Sequence, residues 1–322
     1  APSERYERAA DLHPDESALV KRLVGFDVER GELDVARERL ETAVAANPDD
    51  ADLVYMLGLV NLETGDEDAA SEALAQVPPT HPSYADARKR LAALRQHAGD
   101  LEGALAILEE LRVLEPGKEH DFLTAGLRAR TGDLEGGVEL VREWVEADAD
   151  DAGALYQMGL VYDAAKQRDE AIAWMRRALE KNPDDAHALN YIGYTLAESG
   201  RDLAEAETLI KRALEIAPED GFITDSLGWV YYMRARPLVE SGRESEAKPW
   251  IDLARATLER AAELSGGDPA IAEHLDGVRR LAGDKQRALT YYELAVELEP
   301  RPDEQPLLYD KLEALREELA GR

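Results

Sequence analysis

Side chains that could perform catalysis or hold a metal are scattered along this chain. It has no cysteine, which removes thiolate ligands, disulfides and cysteine nucleophiles together. Six histidines lie at positions 13, 81, 97, 120, 187 and 274, and no two of them have metal-ligand spacing with a third ligand. Ser226 has no histidine partner in helical register, and carboxylate pairs are expected by chance among 68 acidic residues. We therefore predict no catalytic residue, no metal site and no cofactor, and we expect that the protein is not an enzyme.

The charge of the chain restricts its partners. The formal net charge is −30 and the sequence pI is about 4.6, so binding to nucleic acid or to an anionic membrane surface by charge is not expected. A basic partner would fit, and the simpler alternative is a soluble, self-repelling surface. The longest apolar run, Leu53 to Leu62, is too short to span a bilayer, so we expect no direct membrane insertion.

A repeating pattern positions all of these residues. Prolines recur with gaps of 34, 34 and 35 residues between Pro48 and Pro82, Pro82 and Pro116, and Pro183 and Pro218. Such a period indicates a stack of supersecondary units. A stack grows by adding units and needs no central core, so it replaces the two compact domains that 322 residues would otherwise suggest.

Each repeat reads as two amphipathic helices joined by a short turn. Glycine recurs at the turn, where a left-handed residue commonly ends a helix, and Lys166 replaces it once. In the first helix of several pairs a glycine follows an apolar residue, as at Ile192-Gly193 and Leu227-Gly228, and its missing Cβ lets the neighbouring helix approach. The second helix carries an alanine followed by apolar residues four and seven positions later, which draws one stripe along the helix.

These residues recur in register over essentially the whole chain and resemble the tetratricopeptide repeat (TPR) family. The resemblance implies an all-α fold, an α-solenoid of stacked antiparallel helix pairs that forms a right-handed superhelix with a concave groove. It also implies non-enzymatic work, namely holding other proteins or peptides. Residues 186–235 resemble a pair of repeats common in bacterial proteins, many of them exported or envelope-associated. The bacterial periplasm or outer membrane is therefore favoured over the cytoplasm.

We predict eight tandem repeats between two terminal segments. Residues 1–16 read as the second helix of a truncated repeat or as an N-terminal cap, and 303–322 as a C-terminal capping helix. The eight units between them, over 17–302, are 17–50, 51–84, 85–117, 118–151, 152–185, 186–220, 221–268 and 269–302.

One predicted unit, 221–268, is 14 residues longer than the period. We favour an extended hairpin that turns at Gly242, and the alternative is an irregular loop between ordinary helices. In the hairpin, Pro237 is expected to kink the first helix, and Pro249 to bend or interrupt the second.

The family geometry implies which side chains line the concave groove. They occupy the second, fifth, sixth, ninth and twelfth positions of each first helix, here called the groove positions. Aromatic residues with a polar group, which are typical anchors of interfaces, concentrate at these positions between residues 152 and 235; any one of them could instead pack between adjacent helices. The predicted partner-binding groove consists of Tyr156, Leu160, Asn190, Tyr191, Tyr194, Asp225, Trp229 and Tyr232. A secondary contact on the extended hairpin is predicted at Leu238, Val239 and Trp250.

The expected function is that of a protein-interaction scaffold or adaptor. Its groove would bind a partner peptide or helix, with basic or amphipathic helical segments as the best candidates. One alternative is a self-assembling protein, whose N-terminal helix docks into another copy. Another is a regulatory array cut from a longer chain that carries an enzymatic domain, since Ala1 is not an initiator methionine.

Overall fold

The computed structural model describes residues 17–282 and Arg316. Three predictions lie outside the described residues, apart from Arg316. They concern 1–16, the second half of unit 269–302, and 303–322. Contacts within the chain divide it after Asp133 into two compact units. The boundary lies inside the repeat predicted at 118–151, where the sequence pattern shows no interruption.

The first unit contains seven helices over residues 17–133. Each helix packs against the next one along the chain, and apolar side chains such as Leu40, Leu74 and Leu111 are fully buried between them. The helices are α1 (Ser17–Glu29), α2 (Leu33–Ala46), α3 (Ala51–Glu63), α4 (Glu67–Ala75), α5 (Tyr84–His97), α6 (Leu101–Leu114) and α7 (Lys118–Arg130).

The second unit contains eight helices in the part described from residue 134 onward. Besides its neighbours in sequence, α13 contacts α11, and it also contacts α15, so the first helices of successive pairs lie side by side. The helices are α8 (Leu134–Ala147), α9 (Ala152–Ala164), α10 (Arg168–Lys181), α11 (Ala186–Glu198), α12 (Leu203–Ile216), α13 (Gly221–Glu240), α14 (Glu244–Ser265) and α15 (Pro269–Leu281). No strand occurs among residues 17–282, and the fold is an all-α helical solenoid, as predicted.

Aspartates start many of these helices. Asp185 and Asp220 precede α11 and α13, and a side-chain oxygen of each accepts a hydrogen bond from a backbone N–H three residues later, at 3.0 and 2.9 Å. Such caps satisfy donors that have no partner within the helix, and their charge suits the positive end of the helix dipole. Part of the acidic composition therefore serves local structure.

Glycines in the first helices allow close packing, as the sequence predicted. A Cβ at Gly193 would lie 2.5 Å from Cγ1 of Ile210 in α12, and one at Gly228 would lie 2.5 Å from Cγ of Leu258 in α14. Both partner side chains are fully buried. Real Cβ atoms do not approach neighbours so closely, so these helix pairs depend on the missing side chain.

Helices α13 and α14 form a long hairpin. They contain 20 and 22 residues, or about 30 and 33 Å at the usual helical rise. Gly242 lies between them with φ of +74°, a left-handed conformation that glycine adopts without steric cost. α13 runs through Pro237 and α14 through Pro249, so the interruption considered for Pro249 does not occur.

Candidate functional site

The predicted groove residues of the second unit lie on the first helices α9, α11 and α13. Tyr156 and Leu160 on α9 are half-buried and pack against the apolar core. Burial raises the pKa of Tyr156 above its ordinary value, because ionisation would place a charge in a poorly solvated position. Each of these two residues thus combines a structural contact with a partly exposed surface.

A hydrogen bond joins two of these helices. The hydroxyl of Tyr191 on α11 donates to Oδ1 of Asp163 on α9 at 2.7 Å. Burial, reinforced by this hydrogen bond and by the nearby negative charge, raises the pKa of Tyr191. The contact fixes the Tyr191 ring and ties α9 to α11 at groove positions.

A cluster of rings lies where α11, α13 and α15 meet. The Trp229 ring stacks on Tyr232 with centroids 4.7 Å apart and on His274 with centroids 4.2 Å apart. Tyr194 lies tilted against His274 at 6.4 Å, and burial raises the pKa of Tyr194 to about 12. These four residues, Tyr194, Trp229, Tyr232 and His274, are called the ring cluster below.

A buried carboxylate holds the histidine of the ring cluster in place. Nδ1 of His274 lies 2.9 and 2.8 Å from the two side-chain oxygens of Asp225, and Asp225 is only 7% exposed. The pair joins α13 to α15. Asp225, predicted as a groove residue, therefore also has a structural role.

Two buried polar atoms near the groove lack a hydrogen-bond partner in the part of the chain that the structure describes. They are Oδ1 of Asn190, an acceptor, and Nε1 of Trp229, a donor. An unsatisfied buried group of this kind costs about 1–3 kcal/mol. These two buried groups thus have unused capacity, one to accept and one to donate a hydrogen bond.

An open cleft adjoins the ring cluster. It has a volume of about 800 Å³. Tyr194, Trp229, Tyr232 and His274 line it, together with charged side chains from α11, α13 and α15. The charged residues lining it are Glu198, Arg236, Glu240, Glu273, Asp276 and Arg280.

The hairpin residues predicted as a secondary contact do not line this cleft. Leu238 and Val239 are half-buried. Trp250 packs on the core of the hairpin. Its ring centroid lies 6.0 Å from that of Tyr231, and the guanidinium carbon of Arg234 lies 4.7 Å from the Trp250 ring centroid. Part of the Trp250 ring is therefore used inside the hairpin, and its role as a contact surface stays a prediction.

Sequence reasoning missed the contribution of α15, and a signal for it was present. Counting from Pro269, the groove positions of α15 are Ala270, Glu273, His274, Gly277 and Arg280, and all five line the cleft. The same rule that selected Tyr194 and Trp229 would have found them. His274 was instead grouped with the dispersed histidines.

The described residues offer no other obvious chemistry. No group of three or more histidine and carboxylate side chains there could hold a metal ion. None of the described helices is long and apolar enough to cross a membrane.

Comparisons with known proteins agree with the helical repeat. Two family models described as tetratricopeptide repeat match residues 27–86 and 156–221, and no curated protein sequence matches the chain. A tetratricopeptide repeat protein from Parabacteroides merdae is similar in structure at 16% identity and a TM-score of 0.56, covering 83% of this chain and 98% of its own. A monomeric mutant of IFIT1 with Gppp-AAAA is similar at 15% identity and a TM-score of 0.53, covering 88% and 69%. The two family models identify tetratricopeptide repeats at residues 27–86 and 156–221, and the paired helices and close-packed glycines agree with that repeat.

Proposed function

We propose that this protein holds a segment of a partner protein along the first helices of its second unit. Tetratricopeptide repeats serve as protein-interaction scaffolds, and the family is generally non-catalytic. The proposed binding surface consists of the groove positions of α9, α11, α13 and α15.

The ring cluster is the observation that carries this proposal. Tyr194, Trp229 and Tyr232 are half-buried, so each ring is held by packing and still presents surface to a partner. Rigid aromatic side chains give much contact area for little lost side-chain entropy, and such residues dominate the binding energy of interfaces.

The two unsatisfied polar atoms support the same proposal. A peptide backbone carries one donor and one acceptor per residue, which matches the acceptor of Asn190 and the donor of Trp229. Both atoms are shielded from solvent, so a partner reaches them only after the side chains rotate. The gain on binding would include relief of their desolvation cost.

Photo-crosslinking in the native host tests the groove. The photoreactive benzoylphenylalanine replaces Phe222, which is 59% exposed at a groove position of α13, and in a matched control it replaces Leu253, which is 45% exposed on α14. We expect a discrete protein adduct from position 222 and none from 253. Tyr194→Ala combined with Trp229→Ala should remove the adduct while the circular dichroism spectrum persists.

Three outcomes would contradict the proposal. They are adducts of equal yield at both positions, adducts at 253 alone, or an adduct at 222 that survives the double substitution. An adduct of twice the mass of the chain would indicate self-association instead of capture of a different protein.

A further inference from the structure

We propose that the cleft between α11, α13 and α15 binds the guanidinium group of an arginine side chain on the partner. The inference rests on the proposed function and adds the chemistry of one contact to it. Three features of the cleft each favour a guanidinium group, namely its shape, its aromatic rings and its charge.

Gly277 lines the cleft where the corresponding positions of α11 and α13 carry large rings. It occupies the ninth position of α15, which corresponds to Tyr194 on α11 and Trp229 on α13. A Cβ at Gly277 would lie 3.7 Å from the nearest atom of the Tyr232 ring, which is ordinary contact. Packing therefore does not require glycine here, unlike at Gly193 and Gly228, although glycine weakens a helix interior. Its effect is to leave room for another side chain beside the Tyr232 ring.

The rings favour a flat cation. A guanidinium group stacks on aromatic faces and is more weakly hydrated than an ammonium group. The protein uses this contact internally, with Arg177 4.0 Å from the ring centroid of Trp174 and Arg234 4.7 Å from that of Trp250. Tyr232 borders the open space at Gly277, and its aromatic ring could stack with a guanidinium group in the same way.

The charges favour a cation over an apolar side chain. Four carboxylates, of which Asp276 is fully buried, and two guanidinium groups line the cleft, in a chain of net charge −30. Glu240 lies 3.7 Å from Arg236, with 66% and 45% of these side chains exposed. Exposed pairs of this kind contribute little, so Glu240 can turn to a second guanidinium at small cost. An apolar occupant would instead cover carboxylates without replacing their hydration.

Nuclear magnetic resonance on the full chain tests the assignment with defined probes. The probe is the tripeptide acetyl-Gly-Arg-Gly-amide, and its matched control replaces arginine by citrulline, a neutral side chain of nearly the same shape. We expect the arginine peptide to shift the backbone amide of Gly277 and the indole N–H of Trp229. Roughly tenfold weaker binding is expected for the citrulline peptide, because the charge-assisted contacts are lost.

Two variants of one residue locate the site. Gly277→Leu should fill the space beside Tyr232 and abolish the arginine-dependent shift of the Trp229 indole. Gly277→Ala adds only a methyl group in ordinary contact and should keep the shift. Both variants are expected to fold, because neither side chain enters the buried core.

Four results would overturn the inference. They are the absence of any shift with the arginine peptide, equal shifts with citrulline, equal binding of a lysine tripeptide, or a shift that persists in Gly277→Leu. None of these affects crosslinking at position 222. Conversely, loss of that crosslink with intact arginine binding would remove the proposed function alone.

Discussion

Replacing Gly193 by alanine inserts a methyl group where α11 and α12 pack most closely. The new Cβ would lie 2.5 Å from Cγ1 of Ile210 and 3.0 Å from the carbonyl oxygen of Ala206. Ile210 is fully buried and cannot swing into solvent, and the carbonyl belongs to the helix backbone. The two helices must therefore separate or Ile210 must adopt a poorer rotamer.

The size of the effect follows from two opposing contributions. Overpacking a tight core costs about 1–3 kcal/mol, whereas alanine in place of glycine stabilises a helix interior by about 1 kcal/mol. Because the new Cβ would lie only 2.5 Å from a buried atom, we place the overpacking cost in the upper part of that range, at about 2–3 kcal/mol. The expected net loss is therefore about 1–2 kcal/mol. Gly277→Ala is the matched control, since it makes the same chemical change with 3.7 Å to its nearest neighbour and should stabilise α15 by about 0.5–1 kcal/mol.

Hydrogen–deuterium exchange read by mass spectrometry suits this measurement, because stacked repeats open locally and need not unfold in one step. A loss of about 1.4 kcal/mol corresponds to tenfold faster exchange. We expect faster exchange in α11 and α12 of Gly193→Ala. We expect none in α15 of Gly277→Ala. In an Ile210→Ala background the same Gly193 substitution should cost less, by about 1 kcal/mol. Unchanged or slower exchange in α11 and α12 would refute the close-packing argument.

Two further predictions concern the ring cluster. Burial raises the pKa of Tyr194 from 10.0 to about 12, so the stability that its neutral hydroxyl contributes is complete below pH 10 and is lost as the pH rises through about 12. Tyr194→Phe should flatten the fall of the thermal midpoint over that interval, and an unchanged slope would contradict the assigned burial. Asp225→Ala leaves Nδ1 of His274 without the carboxylate it contacts at 2.8 Å, and we expect α15 to open more easily by about 1–3 kcal/mol. Faster deuterium uptake in α15 measures this opening. The control is Glu240→Ala, at the exposed end of α13. Equal uptake in α15 of the two variants would exclude a structural role for Asp225.

The regular part of the fold was predictable because its causes are local. The glycine after Ile192 or Leu227 and the apolar stripe of the second helix appear in the sequence at fixed spacings, so they predict the helix pair and carry the resemblance to tetratricopeptide repeats. The groove positions came from the resemblance to the family, whose geometry implies which positions of each first helix line the groove. A position along a helix then determines which face a side chain occupies. The rule would have reached Glu273, His274 and Gly277 had it been extended to α15.

The contacts between those positions were not predictable from spacing. Asp225 and His274 are 49 residues apart, and no periodic pattern states that they meet or that His274 then stacks on Trp229. Likewise, the boundary between the two compact units falls after Asp133 without any break in the repeat. The continuity of α14 through Pro249 also shows that a local preference can be overridden in a packed hairpin.

The chain's own periodicities, 3.6 residues within a helix and about 34 between repeats, thus determined the helical repeat. The family resemblance that they support implied the face that bears Tyr194 and Trp229. Only the tertiary structure decided that this face holds a ring cluster, a buried Asp225–His274 pair and a cleft that Gly277 helps to line. Periodicity specifies the direction in which each side chain points along its own helix. The distances between side chains of α11, α13 and α15 depend instead on how three separate helices pack against one another, through contacts such as that of Asp225 on α13 with His274 on α15.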